Sequence, residues 1–283
     1  MIEIRHKDTG EVLFGAEVDT LVQADLNHLE LEGADLRGMD LRLANFQGAN
    51  LGGADLRDAD IEGANFRAAM LRGADLSGSD LNDATFGDGV QSNAAVLTQC
   101  SLREARITDC DMPYVDLRDA DLSGASLERT DLHAARMVNA VLRKAVVGSA
   151  LMLETDLRGA DLTGAYLCNV RLNGANLSGA RLDGARLGGE DCIPATMNRS
   201  VLIRTSLVGT NLSGVSLLRS DLSGADLTNA DLRGTDLTGS ILRKANLAGT
   251  NLQGVDLTTT TLTLANLSAA RNVRLRYTRR DAR

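Results

Sequence analysis

From Leu21 almost to the end of the chain, every fifth residue is apolar. Leu21, Leu26, Leu31, Leu36 and Leu41 open the series. Phe46, Leu51, Leu56, Ile61, Phe66, Leu71, Leu76, Leu81 and Phe86 continue it. One residue of register is gained between Phe86 and Leu97. From Leu97 the frame runs to Leu267, with only Ile107, Met112, Met137, Val147, Met152, Cys192 and Met197 in place of leucine. The 14 slots before the slip and the 35 after it hold no polar or charged residue. A period of five fits neither the 3.6 residues of a helical turn nor the two-residue alternation of a strand, so the pattern predicts a repeat architecture.

The positions around each apolar centre repeat as well. Two residues before it stands a small side chain, as at Ala34, Ala49, Ala54, Ala120 and Ala225, and one before it Asp or Asn, as at Asp35, Asn45 and Asp55. Two residues after it stands glycine, a slot holding 21 of the 28 glycines. Glycine recurring there predicts a positive φ, as the third residue of a type II turn requires. Pro113, one residue after its centre, fits the preceding turn position. The unit is one short extended piece and one corner, and four corners close a square coil of about twenty residues. Phe46, Phe66 and Phe86, twenty apart, are predicted to stack on one inner face. At the ~4.8 Å strand spacing, 49 slots make about twelve coils and a rod on the order of 58 Å long.

The A-[DN]-L-x-x pattern, as in Ala34-Asp35-Leu36-Arg37-Gly38 and Ala225-Asp226-Leu227-Thr228-Asn229, resembles the pentapeptide-repeat family over residues 21–270. The resemblance implies a right-handed quadrilateral β-helix. It also implies a function class, since the best understood members are DNA-mimicking proteins that bind type II topoisomerases.

Composition narrows the setting. The formal charge is −8, but residues 271–283 hold six arginines against Asp281, a net of +5, which leaves −13 on residues 1–270. An acidic body excludes direct nucleic-acid binding along the rod. No apolar run is long enough for a membrane span, and Met1–His6 shows no cationic-then-apolar leader, so the expectation is a cytoplasmic protein. Cys100 and Cys110 fall in the small inward slot, Cys168 points outward and Cys192 takes a centre slot. All four read as reduced structural thiols.

An open solenoid needs its ends covered. Residues 2–20 read as an N-terminal hairpin cap turning at Lys7-Asp8-Thr9-Gly10, residues 21–270 as coils, and residues 271–283 as a basic cap or tail. Val273, Leu275 and Tyr277 alternate with Arg274 and Arg276, a strand able to lie over the last coil or to form a homodimer through the C-terminal end. Two stretches break the repeat. Gly87–Val96 is read as a one-residue bulge, and Gly188–Thr196 as a stretch that keeps register; neither is expected to project as a large loop.

Function then rests on the outward slots. A twenty-residue period stacks Asp35, Asp55 and Asp75 in one column and Asp40, Asp60 and Asp80 in the next. These columns read in two ways: as carboxylates bonding turn amides, or as an imitation of duplex phosphates that enters a basic groove of gyrase. Arg37 and Arg57 are placed on a neighbouring position, where they neutralise the field locally. His6, His28 and His133 are scattered, no Cys/His set has metal-ligand spacing, and the glycines are corner residues, so neither an enzyme, a metal nor a cofactor is called for. The chain reads as a DNA-mimicking topoisomerase modulator or, alternatively, as a general interaction scaffold.

Overall fold

Each apolar centre closes a turn onto the small residue three places on. The N–H groups of Ala24, Ala34, Ala49 and Ala54 donate to the carbonyls of Leu21, Leu31, Phe46 and Leu51 at 2.9–3.1 Å. The intervening corner residue is left-handed, with φ of 60° at Gly38 and 61° at Gly53. The same conformation is imposed on Gln23, Leu43 and Asp58, at 60°, 59° and 57°. A side chain there costs roughly 1–2 kcal/mol, which is why glycine dominates the slot.

The computed structural model describes residues 1–274, wound as a right-handed quadrilateral β-helix. Four walls of parallel bridges run along it, beginning at Asp25, Glu30, Asp35 and Asp40. The Asp25 wall continues through Asn45, Asn65, Thr85, Asp111 and Asp131 and on to Asp236. Leu26, Phe46, Leu76, Leu132, Leu187 and Leu247 are fully buried. In the later coils serine and threonine share the small slot, and their hydroxyls are satisfied by backbone carbonyls. Ser200, Thr205 and Thr210 donate to Leu172, Leu177 and Leu182 at 2.7–2.8 Å.

Strand β1 (Ile2–His6) pairs antiparallel with β2 (Val12–Ala16) and, on its other edge, with β3 (Ala34–Asp35). The hairpin thus lies against an early coil and sends Ile4 into the core. At the opposite end Leu262, Ala265, Leu267, Ala270 and Val273 pack against the core while partly exposed. Leu275, Tyr277 and the arginines after Arg274 lie outside the described residues.

Both interruptions are larger than the sequence pattern suggested. Asn65 bridges Thr85 at the usual twenty, but Met70 bridges Val96 at 26, so the first interruption inserts six residues. Arg171 bridges Thr196 at 25, so the second inserts five. Each leaves at a corner and returns to it: Ala95 N–H donates to Phe86 C=O, and Ala195 N–H to Leu187 C=O, both at 2.8 Å. The exits are glycines for lack of space. A Cβ at Gly87 would stand 2.6 Å from the Pro113 carbonyl oxygen, and one at Gly188 would stand 1.9 Å from that of Ser213.

The two loops are fastened differently. Asp88 gathers the first, accepting from Val90 N–H and the Asn93 amide at 3.1 and 3.0 Å, ahead of a 3-10 turn at Gln91–Asn93. A Cys168–Cys192 disulfide holds the second, with Cα atoms 5.4 Å apart. The reading of four reduced thiols is therefore corrected, as is the centre slot assigned to Cys192. Its five-residue spacing counts along a loop, and its sulfur reaches the coil below instead of the core. Cys100 and Cys110 are free and buried.

Candidate functional site on the acidic coils

In an extended segment residues two apart point the same way. An Asp one before the centre therefore shares its face with the residue one after it. Where that residue is arginine, a bidentate pair forms. Arg37 donates to both carboxylate oxygens of Asp35 at 2.8 and 2.7 Å and lies 3.5 Å from Asp55. Arg57 does the same to Asp55 at 2.8 and 2.6 Å and lies 3.7 Å from Asp75. On the next wall Arg42 clasps Asp40 at 2.8 and 2.7 Å and lies 3.5 Å from Asp60, while Arg106 reaches Asp80 at 2.9 Å.

The structure stacks Asp35, Asp55 and Asp75 by successive bridges, and likewise Asp40, Asp60 and Asp80. It also threads arginine through both columns. The expectation that Arg37 and Arg57 stand on a neighbouring position is corrected: they belong to the column itself. Asp55 is the most enclosed, with its side chain 10% exposed. Where serine or threonine follows instead, its hydroxyl donates to the Asp, as Ser77 does to Asp75 and Thr163 to Asp161, both at 2.5 Å.

The paired guanidinium holds the carboxyls of Asp35, Asp40 and Asp55 below the usual carboxylate range, because it donates hydrogen bonds to the charged form. A folded-state pKa below the unfolded value of about 3.9 means the ladder stabilises the rod above that pH. The contribution is withdrawn as pH falls through the lowered pKa values. Thermal melts followed by circular dichroism are expected to hold level from neutrality down to about pH 5 and then drop on further acidification. In an Arg57→Gln variant the drop is expected to be shallower, because Asp55 loses its main proton competitor.

Negative charge held by no hydrogen bond or close ion pair lies elsewhere on these coils. Glu32, Asp58, Glu62 and Asp83 are exposed, and among the described residues their side chains accept no hydrogen bond and form no ion pair; Arg57, Arg42 and Arg129 act on Asp58, Glu62 and Asp83 only at longer range. Asp58 and Asp83 stand at the two corners bordering the Asp40 wall, and Glu62 lies on that wall beside Asp60. The signal for them was in the sequence: Asp60 and Asp80 are followed two places on by Glu62 and Asn82 instead of arginine. Residues 1–95 hold 18 Asp and Glu against seven Lys and Arg, a net of −11, whereas residues 96–270 are net −2.

Surface clefts also lie along the coils. One of about 760 Å³ is lined by Glu154, Asn173, Asn198, Arg199, Arg219 and Thr238. Another, of about 600 Å³ beside the first loop, is lined by Arg67, Asp88, Asp111, Tyr114, Asp131 and His133. His133 meets Tyr114 edge-on with ring centres 5.7 Å apart. Among the described residues no group of three or more His, Cys, Asp or Glu is placed to hold a metal ion, and no helix is long and apolar enough to cross a membrane.

The repeat is also recognised by comparison. A family model described as pentapeptide repeats matches in 8 copies, over residues 21–58, 49–88, 114–146, 152–189, 205–243 and 240–271. The chain belongs to the pentapeptide-repeat family. It is similar to HetL, a pentapeptide-repeat protein involved in heterocyst differentiation regulation in the cyanobacterium Nostoc sp. strain PCC 7120. The identity is 31%, over 85% of this chain and 91% of that one, with a TM-score of 0.26. AT2G44920 from the Arabidopsis thaliana thylakoid lumen is 29% identical over 43% of this chain and 69% of its own, with a TM-score of 0.31. QnrB1, a plasmid-mediated fluoroquinolone resistance protein, is 22% identical over 78% and 86%, with a TM-score of 0.36. Among curated proteins none matches.

Proposed function

We propose that this pentapeptide-repeat protein is a non-catalytic binding rod whose acidic N-terminal coils take the place of duplex DNA on a type II topoisomerase such as gyrase. The observation that supports the reading is the asymmetry of charge, −11 on residues 1–95 against −2 on residues 96–270. Such a field steers the acidic end toward a basic groove and orients the rod as it docks. In its densest coil Asp58, Asp60 and Glu62 fall within one coil rise of about 4.8 Å, or one charge per ~1.6 Å. Duplex DNA carries one per ~1.7 Å of axis. The binding residues proposed are therefore Asp58, Asp60, Glu62 and Asp83 around the Asp40 wall, in place of the arginine-threaded Asp35, Asp55 and Asp75.

A supercoiling assay with gyrase, run with and without a quinolone, tests this. Wild type is expected to inhibit the enzyme or protect it from the drug. The triple variant Asp58→Asn, Glu62→Gln, Asp83→Asn is expected to need at least about tenfold more protein for the same effect, about 1.4 kcal/mol of lost binding. Asp35→Asn, Asp55→Asn and Asp75→Asn together are expected to change it far less, since arginine already neutralises those carboxylates. A folded wild type without effect leaves the second reading, a general interaction scaffold. That reading is favoured by the arginine ladders, which serve the fold and mute the columns as a binding surface.

A further inference from the structure

The loop at residues 188–194 differs from every other corner in being tied by a covalent bond. The coil it interrupts keeps its ladder on both sides of it. Arg186 N–H donates to Ala165, Leu187 to Asn211, Ala195 to Leu187, Thr196 to Val170 and Met197 to Ser216, all at 2.7–3.0 Å and all between coil residues. The loop supplies one rung of that ladder, Asn169 N–H to Ile193 C=O at 2.7 Å, and one bond within itself, Cys192 N–H to Gly189 C=O at 3.3 Å. Burial holds it little beyond the cystine itself, where Cys168 and Cys192 are 5% and 8% exposed: Glu190 and Asp191 are exposed, and Ile193 is 66% exposed. The first loop, by contrast, is gathered by the Asp88 carboxylate, which no reductant touches.

We propose that Cys168 and Cys192 form a reducible clasp, and that a dithiol reductant opens it to free residues 189–193 while the coils stay wound. In the opening step a thiolate of the dithiol attacks the Cys192 sulfur and the S–S bond breaks. Cys168 leaves as a thiolate and takes up a proton. The second thiol of the reductant then attacks the mixed disulfide, releasing Cys192 as a thiol and leaving the reductant as its own disulfide. Two electrons pass from the dithiol to the cystine, and oxidised glutathione reverses the sequence. In a reducing compartment such as the cytoplasm the loop stands open, and in an oxidising one it is fixed.

Native-state alkylation with intact-mass readout, paired with hydrogen exchange, tests the clasp on the full chain. Cys100 and Cys110 give a built-in control, since both lie inside coils that stay wound, 2% and 1% exposed, where burial pushes each thiol up to about 12. The oxidised protein is expected to take up no label. After dithiothreitol it is expected to take up two, on Cys168 and Cys192 alone. The amides of Asn169 and Cys192 are expected to exchange at least about tenfold faster once reduced, with protection of Leu187, Thr196 and Met197 unchanged. The double variant Cys168→Ser, Cys192→Ser is expected to match the reduced wild type with no reductant present. If that variant does not fold, the reduced wild type carries the comparison. The proposal is overturned by labelling of Cys100 and Cys110 alongside the other pair, by loop exchange that ignores reduction, or by two reactive thiols persisting after treatment with oxidised glutathione.

Discussion

Replacing Leu132 by aspartate is expected to abolish the single cooperative unfolding of the rod. Leu132 is fully buried on the Asp25 wall, between Met112 one coil below and Met152 one coil above, both fully buried. The substitution removes about 2 kcal/mol of side-chain burial. It also puts a carboxyl among aliphatic side chains with no partner, which costs several kcal/mol more whether the group stays neutral or ionises. Each coil of a solenoid touches only its neighbours, so its stability is a sum over adjacent interfaces. A coil lost in the middle takes two interfaces with it and leaves two shorter rods, each with a raw end. Urea titration followed by circular dichroism is expected to show a broadened, early transition in place of one sharp step. Hydrogen exchange is expected to lose protection first near residues 107–157. The control is Leu264→Asp, at a corner side chain 76% exposed, which is expected to leave the melt almost unchanged. Equal effects of the two would mean that the centre at 132 is not enclosed by the coil.

The architecture was legible because the period has one physical cause at every turn. Leucine recurs at five because only an apolar side chain fits the corner, and glycine recurs two places later because only glycine is free of cost at positive φ. What stayed hidden follows from reading the chain against that same period. A five-residue insertion is invisible to a five-residue count: Leu187, Cys192 and Met197 keep the frame while Cys192 leaves the coil. A six-residue insertion imitates a slip of one, which is how Gly87–Val96 passed for a bulge. The available sign was the lost consensus over Gly87–Val96 and Gly188–Thr196; Gly87 and Gly188, one residue after their centres, do not single these stretches out, because Gly52 and Gly148 stand there too in uninterrupted coils. Cys168, one place after its own centre on the coil below, completes the sign at Cys192.

The carboxylates stack as the period implies, and what was misplaced is the arginine beside them, for a reason that concerns direction and not spacing. Asp35 and Arg37 flank Leu36, so an extended backbone must put them on one face, within reach of a bidentate pair. The same D-L-R triplet recurs at Asp55-Leu56-Arg57, Asp116-Leu117-Arg118, Asp156-Leu157-Arg158 and Asp231-Leu232-Arg233, and each is paired in the structure. A column count sees the carboxylates and the arginines but sets Arg37 and Arg57 on a neighbouring position instead of in the column. Glu62 stands where the triplet's arginine is missing, and Asp58 and Asp83 stand at the two corners bordering that wall, so the binding surface proposed here is defined by missing arginine as well as by present carboxylate.

Phe66→Ala is expected to cost about 3–5 kcal/mol, against about 1 kcal/mol for Phe66→Leu. Phe46, Phe66 and Phe86 stack with ring centres 5.0 Å apart and planes within 4° and 8° of parallel. Free aromatic pairs favour an offset or edge-on geometry. Here the coil rise sets the separation, so the stack fills space that the repeat dictates. Phe66 is the middle ring, and its removal leaves a cavity with an aromatic face above and below, neither able to move without breaking backbone bonds such as Phe66 N–H to Thr85 C=O at 2.7 Å. Leucine fills most of that volume, as it does at nearly every other centre of the rod. The alanine variant is also expected to loosen the first loop. Phe86 accepts the Ala95 N–H that closes that insertion, and Ala68 N–H donates to Asn93 C=O within it at 2.8 Å. Urea midpoints give the stability difference, and exchange of the Ala68 and Ala95 amides gives the loop. Equal costs for alanine and leucine would show that the rings do not fill the corner they occupy. A large cost without faster exchange at Ala95 would separate the loop from the stack beneath it.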